Sequence, residues 1–285
     1  MKQIVHVHVP KTGGTWLNNV LGRNLPENVW LGGEHLAIAG GIETISEWRP
    51  DAETCIDDAD ASIQLHTAQP KHPGRWRDAL KLSVCRNPFD LLVSYYCHKE
   101  PHPTKRVGCH EPHPGWAWAW EPHMRREGVP AGWDLINITH GIRSFDEFIK
   151  KFCDSRFKWH HGLRRNNLFY QMFDHQGHSG VDVVMRNESL TSAIQILLTE
   201  LGYINHDSLF IGGAEKSNVT EGKKDYRSFY TDELRELVEK KCAPELQLFE
   251  YNFDGPTNDN AFIDPASIWY HQKSRVAMKN GRRIL

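Results

Sequence analysis

The sequence predicts an α/β fold, a central parallel sheet flanked by helices, and two features carry that prediction. Short apolar runs recur at Ile4 to Val9, Ser62 to Leu65, Leu80 to Cys85 and Val181 to Met185, with the length and continuous hydrophobicity of strands buried on both faces. Between them lie stretches whose apolar residues recur every three to four positions, the spacing of amphipathic helices. Strands alternating with helices in this way build a three-layer α/β unit.

The elements follow in order. Ile4 to Val9 runs through Pro-Lys-Thr-Gly-Gly-Thr into a helix over Trp16 to Leu21. Leu80 to Cys85 runs through Arg-Asn-Pro into a helix over Leu91 to Cys97; Pro88 suits a first helical turn, where its missing N–H has no intrahelical partner to lose. Phe145 to Phe152 is a third helix. Val181 to Met185 leads to a helix over Leu190 to Leu201 with Ser189 as its expected N-cap, and Thr231 is expected to cap the helix ending at Lys241. ELQLFEYNF, near Glu245, reads as a final helix packing onto the sheet. Residues 1–255 are therefore expected to form one domain. Inside it, 98–133 has little periodicity and much Pro, His and Trp; a non-periodic stretch of that length is expected to be a functional insertion, a lid. Residues 256–285 are expected to be an irregular C-terminal arm.

Composition excludes several classes. With 39% hydrophobic and 25% charged residues in 285, the chain has the makings of an ordinary core, and a net charge of -2 provides no basic surface for nucleic acid or an anionic membrane. Any anion site must be assembled locally. No apolar run approaches the roughly 20 residues of a membrane span, and the N-terminus enters a strand without a signal-like segment, so a cytoplasmic protein is expected. The six cysteines show no CxxC pairing and read as buried or free thiols, and the sequons at Asn137, Asn187 and Asn218 read as chance matches. Cys109, His110 and His113 match no standard metal-ligand spacing, so no metal is expected.

Two segments carry chemistry. A strand ending in a Gly-containing turn that starts a helix offers free backbone N–H groups and a positive dipole end, and Lys11 adds a full charge: PKTGGTW is an anion loop. It is not a nucleotide-binding Walker A loop, which needs its Lys after the last glycine, whereas Lys11 precedes Gly13 and Gly14. In VCRNPFDLLVSYY, Arg86 at a strand's carboxyl end faces the crevice where open α/β sheets bind ligands, and the Ser94 hydroxyl lies two turns further on. Taken alone, Arg86 is equally suited to pairing with a carboxylate such as Asp90.

Together, PKTGGTW and CRNPFDLLVSYY resemble the two signature segments of sulfotransferases that use 3′-phosphoadenosine 5′-phosphosulfate (PAPS), the first in the form found in carbohydrate and bacterial branches. The resemblance, weaker as far as Tyr251, implies a P-loop-NTPase-like sulfotransferase fold. It implies that Lys11, Thr12, Gly13, Gly14, Thr15 and Trp16 line the 5′-phosphosulfate and that Arg86 and Ser94 hold the 3′-phosphate. KSNVTEGKKDYRSFYTDEL is similar to the family's late basic loop, making Lys223, Lys224 and Arg227 further 3′-phosphate ligands, with Ser217 and Asn218 behind them. Transfer to an alcohol or amine needs a base. The resemblance implies His66, at a strand end, or else Glu34 or its neighbour His35. Trp116, Trp118 and Trp120 alternate as a strand would and either stack on the acceptor or pin the insertion as a local cluster. The implied reaction moves a sulfuryl group from PAPS to a hydroxyl or amine of a small molecule, such as a natural product, or of a carbohydrate. The alternatives are a kinase-like phosphoryl transferase, for which a Walker A Lys and an acidic Mg²⁺ ligand are lacking, and a non-catalytic anion- or carbohydrate-binding protein. No nucleic-acid or membrane partner is expected, and the oligomeric state stays open.

Overall fold

A computed structural model describes residues 2–9, 11–34, 78–98, 144–154, 168–169, 172–173, 176–205, 208–209, 225–271 and 276–284. In chain order its elements are β1 (Ile4–Val7), α1 (Gly14–Asn24), β2 (Trp30–Glu34), β3 (Leu80–Cys85), α2 (Pro88–His98), α3 (Phe145–Cys153), β4 (Val183–Arg186) and α4 (Leu190–Glu200). There follow α5 (Asp232–Lys241), α6 (Ala243–Leu248), β5 (Tyr251–Asn252), β6 (Gly255–Pro256), β7 (Phe262–Ile263), β8 (Ile268–His271), β9 (Val276–Lys279) and β10 (Arg282–Arg283). The expected strand Ser62 to Leu65 and the insertion beyond His98 lie outside the described residues.

The central sheet has the order β2-β1-β3-β4-β7. β2, β1, β3 and β4 are parallel, with Ile4 opposite Leu80 and Leu82 opposite Val183. β7 closes the edge antiparallel to β4, Val184 facing Ile263, so the sheet is mixed and mostly parallel. Alternation along the strands feeds two cores. Ile4, Leu82 and Met185 pack with Leu17, Leu21, Ile194 and Leu198 of α1 and α4. Val7, Cys85 and Val184 pack on the other face, with Phe89, Phe148 and Leu234 of α2, α3 and α5. Helices thus cover both faces, which is why these strands read as unbroken apolar runs.

The helices have local causes. In α3, Phe145, Phe148, Ile149 and Phe152 are buried at the i, i+3, i+4, i+7 positions of one stripe, and the Ser144 hydroxyl accepts from Glu147 N at 3.1 Å as a cap. Thr231 caps α5 as expected, accepting from Leu234 N at 3.3 Å. Ser189 does not cap α4. The chain enters α4 through a 3₁₀ turn, Asn187–Ser189, so Ser189 (φ -118°, ψ 19°) lacks the extended backbone a capping hydroxyl needs.

The described residues after 255 contribute strands. β7 joins the central sheet, and β8, β9 and β10 make a second, antiparallel sheet whose Ile268, Tyr270 and Ala277 are buried in the main core. The short alternating runs IWYH and VAMK carry this pattern, but each is too brief to stand out by periodicity. α6 packs on α5, β5 and β9. Arg186, 1% exposed, holds the turn before β7, donating to the Asn258 side chain at 2.7 Å, the Asn260 carbonyl at 2.7 Å and Glu250 at 2.9 Å. No helix among the described residues is long and apolar enough to cross a membrane.

One buried acid makes stability pH-dependent. Glu245 in α6 accepts from Leu168 N at 3.2 Å, its Oε2 has no hydrogen-bond partner among the described residues, and burial pushes the carboxyl up from 4.5 to about 7. The folded protein therefore holds this proton more tightly than the unfolded chain, and stability falls as pH rises from about 4.5 through about 7. Glu245→Gln is expected to raise the melting temperature above that of the wild type at pH 8 and to match it at pH 4. Equal melting temperatures at both values would contradict this assignment.

Candidate active site

β1 lies between β2 and β3, so the chain leaves β1 toward one side of the sheet for β2 and crosses to the other for β3. The carboxyl ends of β1 and β3 are the point where the connections diverge, the general ligand crevice of open α/β sheets. Both motif segments emerge there: 8–13 follows β1 and 86–87 follows β3.

The β1 loop is tightly shaped. Lys11 adopts a left-handed backbone (φ 66°), as does Gly13 (φ 88°), which caps α1 without a side-chain hydrogen bond. No acidic residue occupies the first turn of α1, so the helix itself supplies no negative charge to its dipole end. Glycine at 14 is dictated from below. Ile4, His6 and His8 share the face of β1 under α1; His6 Nδ1 lies 2.7 Å from Asn18 Oδ1, and the His6 and His8 rings stack at 5.1 Å. A Cβ on Gly14 would come within 2.0 Å of His8 Cδ2. Thr12 turns inward: its side chain is fully buried and donates to Val9 O at 2.8 Å, so what it can offer an anion is its N–H. Thr15 is exposed at the start of α1, and Trp16 packs against the α1–α4 core.

The β3 loop meets it through Arg86. Nη1 donates to the Lys11 carbonyl at 2.7 Å, while Nε and Nη2 reach Asp90 Oδ2 at 2.8 and 2.6 Å. The carboxylate partner is thus present, and the same guanidinium also joins the two motifs. Asp90 and Ser94 sit one turn apart on α2 and share a stripe with Arg86 before them. Asn87 organises the turn: Oδ1 caps Phe89 N at 3.0 Å, Nδ2 donates to Asn252 O at 2.8 Å, and its N–H goes to Glu188 Oε1 at 3.0 Å. Glu188 Oε2 accepts from Tyr251 OH at 2.7 Å, a phenol that burial keeps well above its ordinary pKa and hence protonated. Cys85, beneath this network, has its thiol pushed up to about 12 by burial, which makes it structural and not a nucleophile.

Arg227 approaches the same segment. It pairs with Asp225 at 2.8 Å, donates to the Asp254 carbonyl and lies over the Tyr226 ring, whose hydroxyl accepts from Asn87 Nδ2 at 3.4 Å. Glu34 ends β2 beside β1, opposite Val7, and its side chain is outside the described set. His35, His66, Trp116, Trp118, Trp120, Ser217, Asn218, Lys223 and Lys224 also lie outside it, as do Cys109, His110 and His113. Among the described residues no His, Cys, Asp and Glu cluster is arranged to hold a metal ion. A cavity of ≈ 550 Å³ lined by Asp182, Glu200, Glu250, Asp264 and Lys279 runs along the β7 edge and contains none of the motif residues.

Three residues join the site that motif reading passed over. Asn87 had a signal, an Asn before a Pro at a helix start. His8 had one too, as the His two residues before the Pro of the loop, although its ring contact with Gly14 is not legible there; Asn187 had none, and its Nδ2 donates to Thr12 O at 2.9 Å across 175 positions of chain.

The profile of the Sulfotransferase family matches residues 1–252, a span that includes both loops, β4 and Tyr251. No curated protein and no solved structure gives a match to the chain.

Proposed function

Because this chain belongs to the sulfotransferase family, we propose that it transfers a sulfuryl group from PAPS to a hydroxyl or amine of a small-molecule, natural-product-like acceptor or a carbohydrate. The observation that carries the reading is the meeting of the two loops, with Arg86 donating to the Lys11 carbonyl at 2.7 Å. The residues present suit the donor: a tight glycine turn at a helix N-terminus with no acidic residue in its first turn for the phosphosulfate, and an Arg and a Ser on one side of α2 for a second phosphate.

When bound, PAPS supplies an activated sulfuryl group whose departure leaves negative charge on adenosine 3′,5′-bisphosphate. Lys11 and the N–H groups of residues 12–15 hold that charge where it develops. His66, or Glu34 or His35 in its place, takes the proton of the attacking oxygen or nitrogen. Arg86 and Ser94, with Arg227, Lys223 or Lys224 and with Ser217 and Asn218 behind them, hold the 3′-phosphate, which fixes the sulfur in line with the acceptor. For Arg86 this entails sharing its guanidinium between the phosphate and Asp90. Trp116, Trp118 and Trp120 wall the acceptor side.

Thermal shift with adenosine 3′,5′-bisphosphate, PAPS and ATP tests the reading. The first two are expected to stabilise the protein and ATP to do so weakly; a preference for ATP would support phosphoryl transfer instead. Arg86→Ala removes charge-assisted hydrogen bonds and is expected to weaken bisphosphate binding about a hundredfold. Unchanged affinity by calorimetry would leave Arg86 as a purely structural partner of Asp90.

A further inference from the structure

We infer that Asn187, which belongs to neither motif, is a positioning residue that aims the anion loop at the donor's 5′ end; this rests on the PAPS reading above. Two successive carbonyls of the loop are held by side chains from two neighbouring strand ends. Arg86, after β3, holds Lys11 O at 2.7 Å, and Asn187, after β4, holds Thr12 O at 2.9 Å. In a planar trans peptide the carbonyl and the following N–H point to opposite sides. Drawing Lys11 O toward Arg86 therefore turns the Thr12 N–H away from the protein partner, and drawing Thr12 O toward Asn187 does the same for the Gly13 N–H. These are the donors that lead into the N-terminus of α1, where an anion is to be received.

The contact is close and chemically specific. A Cβ on Gly13 would lie 2.6 Å from Asn187 Nδ2, so the amide rests against the loop at its left-handed residue. Only a donor serves here: a carboxylate of the same shape would oppose the Thr12 oxygen with a negative charge. The next residue, Glu188, holds Asn87 N of the β3 loop at 3.0 Å. The dipeptide at the end of β4 thus grips both loops, Asn187 the 5′ loop and Glu188 the 3′ segment.

Calorimetry of wild type, Asn187→Asp and Asn187→Ala with two probes tests the assignment: adenosine 3′,5′-bisphosphate, which reaches the loop, and adenosine 3′-monophosphate, which has no 5′ anion. Loss of one aligned hydrogen bond is expected to weaken bisphosphate binding about tenfold in both variants, while affinity for the monophosphate stays within about twofold of wild type. If Asn187→Asp does not fold, Asn187→Ala carries the comparison. Unchanged bisphosphate affinity would overturn the inference, and so would equal weakening of both probes, which is what a general structural role predicts. A wild type that binds no bisphosphate would overturn the PAPS reading and this inference with it; a wild type that binds it, with variants that bind equally well, would overturn this inference alone.

Discussion

Lys11→Ala is expected to lower sulfuryl transfer by about a thousandfold or more while leaving the melting temperature close to wild type. Lys11 carries the one full positive charge within the loop, where the proposed mechanism has the leaving bisphosphate accumulate negative charge. The fold asks something different of this position, a left-handed backbone with φ 66° and a carbonyl offered to Arg86. Alanine makes the same backbone demand as lysine, because both carry a Cβ, and its carbonyl is the same acceptor. Activity and stability should therefore separate. Transfer is read with labelled PAPS and a responsive acceptor, and folding by circular dichroism; substantial transfer by a folded Lys11→Ala protein would remove Lys11 from the mechanism.

Gly14→Ala is expected to fail for a different reason, by displacing the loop from below. The added Cβ would meet His8 Cδ2 at 2.0 Å and Nε2 at 2.2 Å. His8 is 9% exposed and stacked on His6, so the ring has little room to retreat and the helix start must move. Overpacking of this kind destabilises by about 1–3 kcal/mol, and a shift of about 1 Å at the anion loop lowers activity about a hundredfold. The paired change His8→Ala/Gly14→Ala removes the obstacle and is expected to recover stability relative to Gly14→Ala alone, as strong non-additivity in a denaturant double-mutant cycle. Additive effects would mean that the two residues do not meet.

The parts of the molecule legible in the sequence are those whose physics is local. β3 runs over Leu80–Cys85, the bounds of its apolar run, because a strand buried on both faces needs continuous hydrophobicity. α3 is legible in the spacing of Phe145, Phe148, Ile149 and Phe152, and the cap of α5 in Thr231. β8 and β9 are not: four residues each make too short a pattern, and their burial depends on a core assembled from distant elements. Ser189 misleads for a related reason, since whether a hydroxyl caps depends on the backbone angle at which the chain arrives.

By itself the sequence determined the α/β alternation and the glycine turn of PKTGGTW between a strand and a helix, because strand period, helix period and turn chemistry act over a few residues. Only the tertiary structure decided how the loop is held. Arg86 reaches the Lys11 carbonyl across 75 positions and Asn187 reaches Thr12 across 175. Parallel strands bring chain-distant carboxyl ends side by side, and a hydrogen bond made there depends on sheet order, which local periodicity does not encode.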